Sequence, residues 1–147
     1  MAAFANEVGT VYAASMTRFL LVAIGGGLGA MARYGLGLAV GRLAPGAAWP
    51  WATLTANVAG GLLMGLLVGW LALRAGAGQE SIRLFAAVGV LGGFTTFSAF
   101  SLEAALMIER REIVSAFVYA AGSVVLAIAA LFVGLMIARK LFTGVGA

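Results

Sequence analysis

The chain has 147 residues, of which 63% are hydrophobic and 10% charged, and its mean hydropathy is +1.10; a soluble core of this size does not need so much apolar surface, so the composition describes an integral membrane protein. It has no Cys and no His, which removes disulfides, thiolate nucleophiles, imidazole bases and the usual zinc, haem and iron–sulfur ligand sets, and with them most enzyme classes. The net charge of +4 is nine basic residues against five acidic ones, and the basic residues are scattered at the ends of apolar runs, a pattern of membrane topology and not of the clustered basic face that binds nucleic acid.

Residues 1–15 include Asn6 and Glu7 and lack the basic start of a cleavable signal peptide. Met16-Thr17-Arg18 reads as a native start, so 1–15 is taken as an N-terminal extension or expression remnant and 16–147 as one four-helix transmembrane domain. The first predicted span, Phe19 to Val40, contains the run Gly25-Gly26-Gly27-Leu28-Gly29-Ala30 and then Arg33. An arginine near the bilayer centre costs about 2.5 to 3.5 kcal/mol, so Arg33 must snorkel or find a partner. Glu103, the acidic residue inside the third apolar run, is the candidate partner, or else sits at a pore mouth.

After a Pro-containing connection, Gly41 to Pro50, the second span runs from Trp51 to Leu73. Thr53, Asn57, Gly61, Gly65 and Gly69 recur every four residues along it and share one helix face. The glycines permit close helix contact, and Asn57 at the head of the stripe needs buried partners or an aqueous path.

The third span, Leu84 to Ile108, is interrupted by Gly92-Gly93-Phe94-Thr95-Thr96-Phe97-Ser98-Ala99-Phe100-Ser101. A glycine pair with four hydroxyls and three aromatics predicts a broken helix. Broken backbone is tolerated within a bilayer only where it is buried in protein or lines a wet cavity, which makes this the candidate ion or substrate site. Phe97 and Phe100, three apart, project to similar sides; such rings are ordinarily core or lipid-facing, yet their positive edges can also meet a small anion. Ser98 and Ser101 either donate hydrogen bonds to an anion or back-bond to the preceding turn.

The fourth span, Ile113 to Ile137, follows the charged turn 109–112 and carries Ser115, Tyr119, Ser123 and Ala127 on one face, a second polar track or simple interhelical glue. Counting basic residues by side gives Arg18, Arg74, Arg83, Arg139 and Lys140 against Arg42, Arg110 and Arg111. Five against three is a weak bias that fits insertion in both directions, and with it an antiparallel homodimer; a single orientation fits the count as well.

The glycine run ending in Ala32-Arg33-Tyr34, then Asn57 with its glycine stripe, then Gly92 to Ser98, together resemble the Fluc family of fluoride channels, the CrcB-type proteins. The resemblance covers nearly everything from Met16 to Leu141. It implies a dual-topology homodimer of four-helix subunits in the bacterial plasma membrane, with two antiparallel pores that pass fluoride passively. It further implies a central structural sodium ion on the main-chain carbonyls of Gly92 and Thr95. By similarity Phe97 and Phe100 turn ring edges to fluoride, Asn57 is a pore-lining amide, and Tyr119 and Ser123 belong to a polar track, with Ser98 and Thr53 beside them. Ala99 and Ala127 depart from the pattern, where hydroxyl or polar residues are common. The expected partners are fluoride, a second copy and membrane lipid, with no nucleic acid and no enzymatic activity. Two rival readings remain at this point: a small proton-coupled exporter, for which Glu103 is the candidate carboxylate, and a nonconducting membrane scaffold.

Overall fold

The computed structural model describes residues 2–47, 49–74 and 78–143, with side chains described for those between 15 and 142. Helix α1 spans Ala2–Leu43 and α2 spans Trp51–Ala72. The third crossing is built from α3, residues 79–94, and α4, Phe97–Glu109; α5 spans Ile113–Thr143. Four stretches are long and apolar enough to cross a membrane: Ser15–Leu43, Trp51–Ala72, Gln79–Glu109 and Ile113–Phe142. The first, third and fourth predicted spans lie inside them, and the second overruns its helix by one residue, Leu73, which is the C-cap. The third begins earlier than its apolar run, because Gln79 donates from Nε2 to Leu71 O (3.2 Å) and Glu80 pairs with Arg18 (3.3 Å), fixing a polar first turn. Residues 2–15 form the opening turns of α1.

Two helix pairs make the subunit: α1 lies along α3, and α2 along α5, with α4 resting on α5. Small residues set both contacts, since lipid tails give no hydrophobic force for helix association and close backbone approach must supply it. A Cβ on Gly61 would stand 2.6 Å from Ala127 O, and one on Gly69 would stand 2.5 Å from Ala138 Cβ. The four-residue glycine stripe read from the sequence is therefore the face that α2 turns to α5. Across the other pair, a Cβ on Gly89 would come within 2.9 Å of Gly25 Cα.

The third crossing changes winding twice. Arg83–Leu91 is π-helical, and the N–H of Gly92 reaches back to Ala87 O. Thr95 (φ −79°, ψ 158°) and Thr96 (φ −151°, ψ 126°) are extended before the helix resumes at Phe97. The turn into α5 closes with Arg111 in the left-handed region (φ 62°): Glu112 N–H bonds Met107 O and Arg111 N–H bonds Ile108 O, both at 2.9 Å, a double closure that satisfies carbonyls at the end of α4. Only 11% to 22% of the residues in each span's most apolar stretch are buried in the subunit, so most of its hydrophobic surface faces lipid or another chain.

Candidate functional site

The break is held by a side chain from another helix. Asn57 Oδ1 accepts from Thr96 N–H (2.9 Å) while Asn57 Nδ2 donates to Thr96 O (3.1 Å), so one carboxamide replaces the helical partners of one extended residue. Thr96 in turn caps α4, its Oγ1 accepting from Ala99 N–H at 3.2 Å, and shares a 3.3 Å contact with Ser98 Oγ. Thr95 folds back, N–H and Oγ1 both donating to Leu91 O at 3.0 and 2.9 Å. Ser101 likewise back-bonds, to Phe97 O (2.9 Å).

These bonds have a consequence for the backbone carbonyls. In an unbroken helix Gly92 O would accept from Thr96 N–H and Thr95 O from Ala99 N–H. Both donors are engaged elsewhere, by Asn57 Oδ1 and Thr96 Oγ1. The break thus takes the helical donors from the two carbonyls that the resemblance singles out, and a hard cation prefers such neutral oxygens.

Arg33 and Glu103 do not pair with each other. Arg33 Nε donates to Gly93 O (3.3 Å), placing a cation at the carbonyl end of α3, where helix dipoles favour positive charge. Glu103 instead faces α2 and α5: Oε1 accepts from Thr53 Oγ1 (2.7 Å) and Oε2 from Tyr119 Oη (2.6 Å). The pairing raised from the sequence does not form because each side chain has other partners, Arg33 the carbonyl of Gly93 and Glu103 the hydroxyls of Thr53 and Tyr119.

A run of rings leads from this carboxylate cluster to the break. Phe97 and Phe100 have centroids 5.6 Å apart, Phe100 and Tyr119 5.3 Å, Tyr119 and Trp49 6.0 Å in an edge-on contact, and Trp49 and Trp51 6.1 Å. Tyr119 is 1% exposed, whereas Phe97 is 79% exposed and stands on the open face of the subunit. Beside Phe97 and Phe100 lies a cavity of about 370 Å³ bounded also by Asn57, Thr96 and Ser123. Ser123 is 4% exposed, and its hydroxyl has no hydrogen-bond partner.

The structure therefore gathers Asn57, Phe97, Phe100, Ser123 and the break around one cavity, and sets Thr53, Glu103 and Tyr119 next to it through Phe100. Ser98 stays at the break on Thr96, while Arg33 bonds Gly93 O, just ahead of the break. Sequence reasoning passed over Trp49, whose only signal was an aromatic directly before Pro50 at the head of a span.

Residues 20–135 match the family described as CrcB-like protein, Camphor Resistance (CrcB). Similar chains include the "Fluoride-specific ion channel FluC" of Caulobacter sp. (strain K31), 59% identical over 87% of this chain and 99% of that protein. The protein of the same name from Phenylobacterium zucineum (strain HLK1) is 61% identical over 86% and 99%, and that from Hyphomonas neptunium (strain ATCC 15444) 55% identical over 86% and 99%. With four membrane-spanning helices and a match over nearly the whole length of these bacterial relatives, the chain belongs to the CrcB family of multi-pass membrane proteins.

Proposed function

We propose that the protein is a fluoride-selective passive channel of the bacterial plasma membrane, and not an enzyme. The observation that carries this reading is the cavity at the helix break, where Phe97, Phe100, Ser123 and Asn57 converge, in a chain more than half identical to proteins named as fluoride-specific channels. Fluoride is small and strongly hydrated, so a narrow path has to replace its water with N–H and O–H donors and with the positive edges of rings. Chloride, larger and a weaker acceptor, pairs less well with the same donors. Glu103 argues against a proton-coupled exporter: both its oxygens already accept hydrogen bonds, the arrangement of a fixed structural carboxylate.

The finer reading is an antiparallel homodimer with two pores. Its support is the weak basic bias between sides and the exposure of Phe97 beside a cavity that one subunit leaves open. A sodium ion at the two-fold axis, held by the carbonyls of Gly92 and Thr95, would supply positive charge and bind the two breaks to each other. Exchanging sodium for N-methylglucamine at constant ionic strength should then lower the thermal midpoint of detergent-solubilised dimers, because a ligand that binds only the native assembly stabilises it by mass action. An unchanged midpoint removes the ion from the proposal.

The test of the pathway is Phe97→Ile and Phe100→Ile, which keep apolar bulk and remove the ring edge. Each should lower fluoride efflux from liposomes about tenfold, equivalent to about 1.4 kcal/mol of barrier, while size-exclusion profiles stay those of the wild type. Wild-type flux in both variants would make the rings packing residues.

A further inference from the structure

Among the described residues, two buried side-chain polar atoms have no hydrogen-bond partner: Ser123 Oγ, in the cavity already described, and Trp49 Nε1. The second is unexplained by anything above. Trp49 lies in the connection before α2 and packs on Met107, Ala116 and Tyr119, over the first turns of α5. Its ring meets Tyr119 edge-on at 6.0 Å, an 85° crossing. Glu103, the carboxylate of this cluster, accepts from Thr53 and Tyr119 and not from the indole. Phenylalanine would supply an aromatic ring to the same contact without the penalty of a buried, unpaired N–H. Packing therefore accounts for an aromatic ring here and leaves the N–H without a role.

We infer that the Trp49 indole N–H is an anion-binding donor beside Tyr119, with the Ser123 hydroxyl as its counterpart one helical turn farther along α5. The inference rests on the fluoride reading. The indole N–H is a donor with no acceptor capacity, so it attracts the anion and offers nothing to a cation. It has no solvent-accessible surface, so an anion that reaches it displaces no water from the donor, and its strength as a donor is raised by the apolar surround. The two orphan donors flank the same buried tyrosine. An ion handed from one to the other passes along Tyr119 and Phe100 toward the break.

The experiment is a halide titration of the intact protein labelled with ¹⁵N at the tryptophan indoles, of which there are three. The Trp49 resonance is assigned by its loss in Trp49→Phe or, should that variant not fold, by elimination with Trp51→Phe and Trp70→Phe. Trp70, under the Arg74 guanidinium at the other end of α2, is the internal control. The expected result is a saturable downfield shift of the Trp49 N–H with fluoride, absent with chloride and absent at Trp70. Folded Trp49→Phe should carry fluoride about fivefold more slowly, the factor associated with one net hydrogen bond. A Trp49 resonance that ignores fluoride in protein that still conducts it overturns this inference alone. An equal shift with chloride overturns it as well. Protein with no fluoride flux and no shift overturns both this inference and the channel reading beneath it.

Discussion

Asn57→Leu should unfold the helix break and abolish fluoride flux together. The substitution keeps a side chain of similar size but takes the acceptor from Thr96 N–H and a donor from Thr96 O, within a membrane interior that offers no water in exchange. Leaving such a group unpaired costs about 1 to 3 kcal/mol, a large fraction of the 5 to 15 kcal/mol typical of a folded domain. The loss also reaches α4, because Thr96 is its cap. Asn57→Asp separates the roles. Its carboxylate still accepts from Thr96 N–H but cannot donate to Thr96 O, and it sets a negative charge on the wall of the cavity. Flux should therefore fall as far as in Asn57→Leu, while the thermal midpoint lies between Leu and wild type. Both are read by unfolding of detergent-solubilised protein and by fluoride efflux at matched protein density. An Asn57→Leu protein with a wild-type midpoint would show that the break holds itself without the amide.

Gly65→Val should separate α2 from α5 and leave no assembled protein. A Cβ at this position would overlap Leu131 O and stand 2.9 Å from Leu135 N. Both neighbours are backbone, so no rotamer change relieves the overlap; the helices must move apart and give up contacts along the whole stripe. Overpacking in cores costs about 1 to 3 kcal/mol where side chains can adjust, and here they cannot, so the upper end of that range is the expected minimum. Gly41→Ala is the matched control. Nothing lies within 4 Å of a Cβ there, and removing a glycine from a helix is worth about 0.5 to 1 kcal/mol. It should leave the size-exclusion profile and thermal midpoint equal to or above wild type. A Gly65→Val protein that elutes and melts like the wild type would contradict the packing described for α2 and α5.

The parts of this architecture that were legible in the sequence are those imposed by the bilayer. A span needs about 20 apolar residues, so four of them announce themselves, and a glycine every four residues can only be a close helix contact. The break was legible as well, since Gly92-Gly93 followed by paired threonines is poor helix at a depth where backbone must be satisfied. Partners were not. Nothing local to Asn57 says that its amide will meet the main chain of Thr96, and the same holds for Glu103 with Thr53 and Tyr119. Arg33 was matched to Glu103 by charge alone, whereas the carbonyl end of a broken helix is an equally good acceptor and lies on the side that α1 faces. The π winding of Arg83–Leu91 left no signal, because it depends on how backbone bonds are distributed and not on residue type. Trp49 was missed because its role lies in what its N–H lacks.

The central claim is that the protein passes fluoride passively and rejects chloride. Its most direct test is efflux from proteoliposomes at low protein density, with a potassium ionophore to balance charge, a fluoride electrode as detector and chloride-loaded vesicles in parallel. The account predicts rapid fluoride release with no imposed proton gradient, and no release of chloride. Fluoride release only under a proton gradient, or no release from folded protein, would contradict it.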